Sequence, residues 1–139
     1  MDNYPDLKRF LDAQFRDYAT AFTEIKSGRK KSHWMWYIFP QIDGLGFSSM
    51  AKHYAIKDLP EAKAYLAHPI LGPRLVAISK ALLALRGDNA GDIMGSPDDL
   101  KLRSSMTLFA LVPGADPVFL AVLEKYYLGE KDHATVQLI

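Results

Sequence analysis

The 139-residue chain contains no cysteine, which excludes disulfides, thiolate zinc sites, iron–sulfur clusters and cysteine nucleophiles. It also lacks any uncharged apolar window of roughly 18 residues, so no segment reads as a membrane span. Charge of one sign is missing as well. Seventeen Lys and Arg stand against 16 Asp and Glu, for a formal net charge of +1. No global field therefore favours nucleic acid or an anionic membrane. Strand-like alternation is almost absent, and no complete catalytic motif occurs, so the sequence names neither a reaction nor a cofactor.

What remains is an ordinary folding composition, with 49% hydrophobic and 24% charged residues, which argues against disorder. The length suits one domain, and no repeat, low-complexity run or linker divides it. The expectation is a single helical domain over 1–139. The opening MDNYPDLKRF is acidic and aromatic and does not read as a secretory signal. A soluble, cytoplasmic protein is expected.

Helical periodicity runs through most of the chain. Leu7, Leu11, Phe15, Tyr18, Phe22 and Ile25 recur at steps of three and four, predicting a first helix from about Asp6 to Ser27, with Asp6 as N-cap and Gly28 as stop. Its other face, with Lys8, Arg9, Asp12, Arg16, Asp17 and Glu24, reads as solvated. Ser32 can cap a short helix from His33 to about Phe39, ended by Pro40. Ser48 or Ser49 can cap another. Asp58 with Glu61 is a capping box in type, and Leu71, Leu75, Ile78, Leu82 and Leu85 mark a second long helix. A short turn is expected at Asp92 to Met94. Ser96-Pro97-Asp98-Asp99 and Asp116-Pro117 are further start signals. The tail DHATVQLI can be a short helix capped by Asp132 or a short extended segment. The fold class is thus all-α, a compact bundle of about six or seven helices.

The stretch Lys30 to Ser49, KKSHWMWYIFPQIDGLGFSS, concentrates both tryptophans with a histidine, a tyrosine and two phenylalanines. In the plain reading the aromatics fill a bundle core and His33 makes one hydrogen bond. In the functional reading His33, Trp34, Trp36, Tyr37, Gln41 and the loop bracketed by Gly44 and Gly46 form a pocket, with aromatic walls and a few convergent polar groups. A second polar concentration, Lys101, Arg103, Ser104, Ser105 and Thr107, either bonds back to its own helix or meets the aromatic segment and binds an anion with Lys101 or Arg74. Arg29-Lys30-Lys31 either complements a helix C-terminus or marks an anion site.

Other chemistries find little support. Ser104-Ser105 has no GxSxG around it, and Lys101 does not follow a serine as SxxK requires. His33, His53, His68 and His133 lack metal-ligand spacing, so no metal site is expected. Gly44-x-Gly46 without a preceding strand does not make a dinucleotide fingerprint.

The blocks SHWMWYIFPQ, GLG, YAI, EAKAYL with HPILGPRL, DDLKLRSSMTLF and YYLGEKD together resemble the bacterial and fungal family called domain of unknown function eighteen-ten, whose members are often labelled calpastatin. The resemblance covers nearly the whole chain. It implies a mainly helical fold and carries no catalytic residue over. A calpastatin-like inhibitor would be polar and disordered until bound, whereas every helix here has an apolar stripe. Direct protease inhibition is therefore not expected.

Two expectations of function follow. The first is a small-molecule site for an anionic or nucleotide-like ligand, with His33 as candidate acid or base. Its binding candidates are Trp34, Trp36, Tyr37, Gln41, Gly44, Gly46, Arg74, Lys101, Ser104 and Ser105. The second is a protein-interaction module anchored on exposed Trp34, Trp36 or Phe47. Nucleic acid and membrane are not expected partners.

Overall fold

In the computed structural model, which describes residues 6–139, nine helices follow one another among the described residues and no strand forms. They are α1 (Lys8–Lys26), α2 (Met35–Ile38), α3 (Ser49–His53), α4 (Leu59–Ala67), α5 (Leu71–Ala84), α6 (Ala90–Met94), α7 (Asp98–Ala110), α8 (Val118–Tyr127) and α9 (His133–Leu138). The count exceeds the six or seven expected because α2, α3, α6 and α9 are pieces of one or two turns. The reading of the opening residues as no secretory signal falls partly on residues 1–5, outside the described part.

Side-chain caps set four of the nine starts among the described residues, three of them at residues that the sequence predicts. Ser48, Asp58, Asn89 and Asp132 each accept a backbone N–H from the first turn of α3, α4, α6 and α9, satisfying groups that a helix N-terminus leaves open. The Asp132 cap corrects the extended alternative for the tail, since α9 is helical to Leu138. Asp6 accepts the Lys8 N–H, so α1 starts two residues after it, at Lys8. Ser32 does not cap α2, which begins only at Met35 because the Ser32 hydroxyl is engaged elsewhere. α7 begins at Asp98, after a cis Ser96–Pro97 peptide.

α7 is the central helix. It packs on α8, α6, α4 and α9, and Leu102 and every residue from Ser104 to Phe109 are buried. A relay of rings ties the layers together: Phe10 of α1 meets Tyr65 of α4 edge-on at 5.1 Å, Tyr65 meets Phe109 of α7 at 5.3 Å, and Phe109 meets Phe119 of α8 at 5.8 Å. α4 and α5 meet at 88°. Gly72 permits that corner, because a Cβ there would lie 2.0 Å from the Leu66 carbonyl oxygen. No single helix among the described residues is long and apolar enough to cross a membrane.

The buried stripe of α1 is rotated from the one that periodicity predicts. Phe10, Ala13, Gln14, Ala21, Glu24 and Ile25 are buried, whereas Phe15 is 87% exposed. Counting large apolar side chains misplaces the stripe, since Ala13 and Ala21 bury little area of their own and Gln14 and Glu24 enter the interior with their polar groups satisfied. Gln14 Nε2 donates to the Tyr37 carbonyl at 2.8 Å and to the Tyr65 hydroxyl at 2.9 Å. Arg9, also expected on the solvated face, pairs with Glu61 of α4 at 2.9 Å.

Phe10→Ala is expected to destabilise the fold by about 3–5 kcal/mol, and Phe15→Ala to change stability by no more than about 0.5 kcal/mol. Urea denaturation of both variants measures this. Equal losses would return the buried stripe to the position that periodicity predicts.

Candidate functional site

The site is organised from Glu24, near the end of α1. Its carboxylate is buried and accepts the Lys31 N–H at 2.7 Å, the Ser32 N–H at 2.9 Å, the Ser32 hydroxyl at 2.6 Å and the Trp34 indole N–H at 2.9 Å. Burial pushes the Glu24 pKa up, but these four donors outweigh it and hold the group at about 2, since hydrogen bonds to the ionised form favour it. Glu24 is therefore no part of a solvated face. It clamps the chain that leads into α2.

Lys30 belongs to the same clamp. Its ammonium lies 3.0 Å from Asp98 of α7, donates to the Ser32 carbonyl at 2.5 Å and stands 4.9 Å from the Trp34 ring centroid, with only 7% of the side chain exposed. This corrects both readings of Arg29-Lys30-Lys31 for the middle residue, because Lys30 joins the segment to the first turn of α7. Arg29 and Lys31 are exposed.

With Trp34 turned inward, α2 has one direction left for its second indole. Trp34, Met35, Tyr37 and Ile38 are buried, and Trp36 is half-buried and faces a cleft. Beyond Pro40, Gln41 and Asp43 exchange backbone hydrogen bonds with Ile56, which fixes the base of the loop. Within it Gly44 has φ +104°, and a Cβ on Gly46 would lie 2.6 Å from that of Ala51. Both positions accordingly favour glycine.

The opposite wall is the exposed edge of α7. Trp36, Gln41, Leu45, Gly46, Phe47 and Ser48 on one side, and Pro97, Leu100, Lys101, Arg103 and Ser104 on the other, line an open cleft of about 440 Å³, with Asp132 and Ala134 completing it. The Lys101 ammonium stands 6.0 Å from the Trp36 ring centroid, at the limit for a cation–π contact. A smaller hollow of about 20 Å³ adjoins it behind Trp36, lined by Gln41, Gly44, Gly46 and Tyr54 among others, which is room for one water.

Of the predicted binding residues, the cleft thus gathers Trp36, Gln41, Gly46, Lys101 and Ser104, and Gly44 lies in the adjoining hollow. His33 is exposed and does not line the cleft. Trp34 is in the core on Glu24. Tyr37 donates its hydroxyl to Asp17, and burial first, then that bond, raises its pKa. Arg74 lies over the Tyr18 ring at 5.1 Å, away from the cleft. Ser105 is fully buried and its hydroxyl has no partner among the described residues.

The α7 hydroxyls serve the fold as well as the cleft. Thr107 Oγ1 donates to the Arg103 carbonyl at 2.8 Å and accepts the Asp132 N–H at 2.8 Å. Ser104 Oγ contacts the Leu100 carbonyl at 3.2 Å and Asp132 at 2.9 Å. Sequence reasoning missed Asp132 as a site residue, since only its capping signal is local and its contact with α7 spans 28 positions.

The fold and the cleft together define a small all-helical protein with a polar, aromatic-walled groove beside its central helix. The chain belongs to the family described as Protein of unknown function (DUF1810), which it matches over residues 4–139. It is also similar to the conserved hypothetical protein Rv1873 from Mycobacterium tuberculosis, a crystal structure with 49% identity and a TM-score of 0.94 over 96% of each chain. No curated protein matches it. Neither matching description names a ligand or a reaction.

Glu24 makes a pH prediction. Its pKa is lowered from an ordinary 4.5 to about 2 on folding, so its stabilising contribution is fully present above the unfolded value and is lost as pH falls through the folded one. Denaturation midpoints should fall between pH about 4.5 and about 2, and Glu24→Gln should be less stable at neutral pH with a flatter profile across that window. An unchanged profile in the variant would remove Glu24 from the clamp.

Proposed function

We propose that the cleft between the Trp36–Ser48 segment and α7 binds a small ligand that joins a planar group to an anionic one. The observation that carries this reading is the convergence of Trp36 and Lys101, from segments far apart in the chain, on one cleft of about 440 Å³. That volume lies in the range of small-molecule sites. Trp36 offers a half-buried indole face for stacking, Lys101 a cation beside it, and Gln41 a neutral amide for orientation. No reaction is assigned, because His33 lies outside the cleft and the Asp132 carboxylate is occupied by Ser104 and Thr135.

A second reading rests on Phe47, which is 81% exposed at the rim of the same cleft. An exposed aromatic of this kind suits a protein partner. Trp34, by contrast, is buried and is not offered as an anchor.

The two tryptophans make the ligand reading measurable. Trp34 is buried, so quenching of intrinsic fluorescence by a nucleotide or another planar anion should report Trp36 and vanish in Trp36→Phe. Lys101→Ala should weaken binding about ten-fold, equivalent to roughly 1.4 kcal/mol, and His33→Ala should leave it unchanged. In a thermal-shift screen a ligand at about a hundred times its Kd stabilises by roughly 2.7 kcal/mol. A panel of planar anions that gives neither quenching nor a shift would shift the assignment to the protein partner.

A further inference from the structure

The two cations that line the cleft share an unusual charge environment. Lys101 lies 3.8 Å from Asp98, but that carboxylate is held more closely by Lys30 at 3.0 Å. Arg103 lies 3.7 Å from Asp132 Oδ1, while the other oxygen, Oδ2, accepts the Ser104 hydroxyl at 2.9 Å, the Thr135 hydroxyl at 2.5 Å and the Thr135 N–H at 3.2 Å. Each cation is thus the distant partner of an acid whose nearer donors lie elsewhere. For Arg103 the separation exceeds a hydrogen bond, and its Nε is buried without a partner among the described residues. A guanidinium with unused N–H groups is suited to a planar or tetrahedral oxyanion, which it binds through two parallel bonds.

We propose that the anionic group taken by this cleft is a dianionic phosphate monoester, and that Arg103 is the residue that selects it. This rests on the ligand reading given above. A monoester presents three terminal oxygens, enough for two parallel bonds from the guanidinium and one from the Lys101 ammonium in the same cleft, whereas a carboxylate or a phosphodiester presents only two. Asp132 keeps its place because Ser104, Thr135 and the Thr107 hydroxyl hold it. Arg103 can therefore turn to a ligand without releasing α9 from α7.

The test is a Trp36 fluorescence titration of the intact chain with adenosine 5′-monophosphate, cyclic adenosine monophosphate and adenosine, which share one planar base and carry about two, one and no negative charges. The expected result is binding of the monoester at least ten-fold tighter than either of the others. Arg103→Met should abolish that preference and leave adenosine binding unchanged, and Arg103→Lys should restore only part of it. Arg103→Gln, which keeps a polar group, is run beside them so that loss of folding in one variant leaves the comparison intact. A preference for the monoester that survives in the folded Arg103 variants would overturn the role of Arg103 and leave the cleft reading standing. Equal affinity for the monoester and the cyclic diester would overturn the dianion. If none of the three binds and no other planar anion does, the cleft reading falls and this inference with it.

Discussion

The buried carboxylate of Glu24 is the constraint on which the rest of the cleft depends. An ionised group in the interior costs several kcal/mol unless its oxygens are hydrogen-bonded, and here four donors from residues 31–34 meet that need. The same contacts decide the course of the chain. Gly28, with φ +85°, ends α1, and the backbone and hydroxyl donors of Lys31 and Ser32 then hold the following residues against Glu24. The fourth is the Trp34 indole, which is drawn into the core. Trp36 is left facing out because the opposite side of α2 is already spent.

A second consequence follows at α7. Lys30 emerges from the clamped segment and pairs with Asp98, which ties the first turn of the central helix to the α1–α2 connection. That pairing places the exposed edge of α7 opposite Trp36 and leaves Asp98 shared between Lys30 at 3.0 Å and Lys101 at 3.8 Å. Near the other end of the cleft, Asp132 caps α9 and binds Ser104 through one oxygen and keeps the other 3.7 Å from Arg103. Contacts that serve the fold thus set the charge state of the cleft. Each acid is shared between structural donors and one cleft cation, and neither cation approaches its acid within hydrogen-bond distance.

Legibility in the sequence varied with the range of the interaction that decides each feature. The caps at Ser48, Asp58 and Asp132 were readable because a cap and its target lie within one turn. Long α5 was readable because a largely apolar face at steps of three and four faces one core. α1 was readable as a helix but not in its orientation, since Gln14 and Glu24 enter the core through partners 7 to 60 positions away. His33 and Tyr37 share a turn with Trp36, yet one is exposed and the other points to Asp17. Proximity in sequence is therefore a poor guide to which of a cluster of polar residues shares a cleft.

From sequence alone came the all-α class, most helix starts and the two segments rich in chemistry, because helical periodicity, caps and residue composition are local properties. Only the tertiary structure decided that those segments meet, that Trp36 rather than Trp34 faces the cleft, and that Lys101 and Arg103 lie beside acids already engaged. Each of these turns on which long-range donor satisfies which buried acceptor. That choice is made when the helices pack and leaves no pattern along the chain.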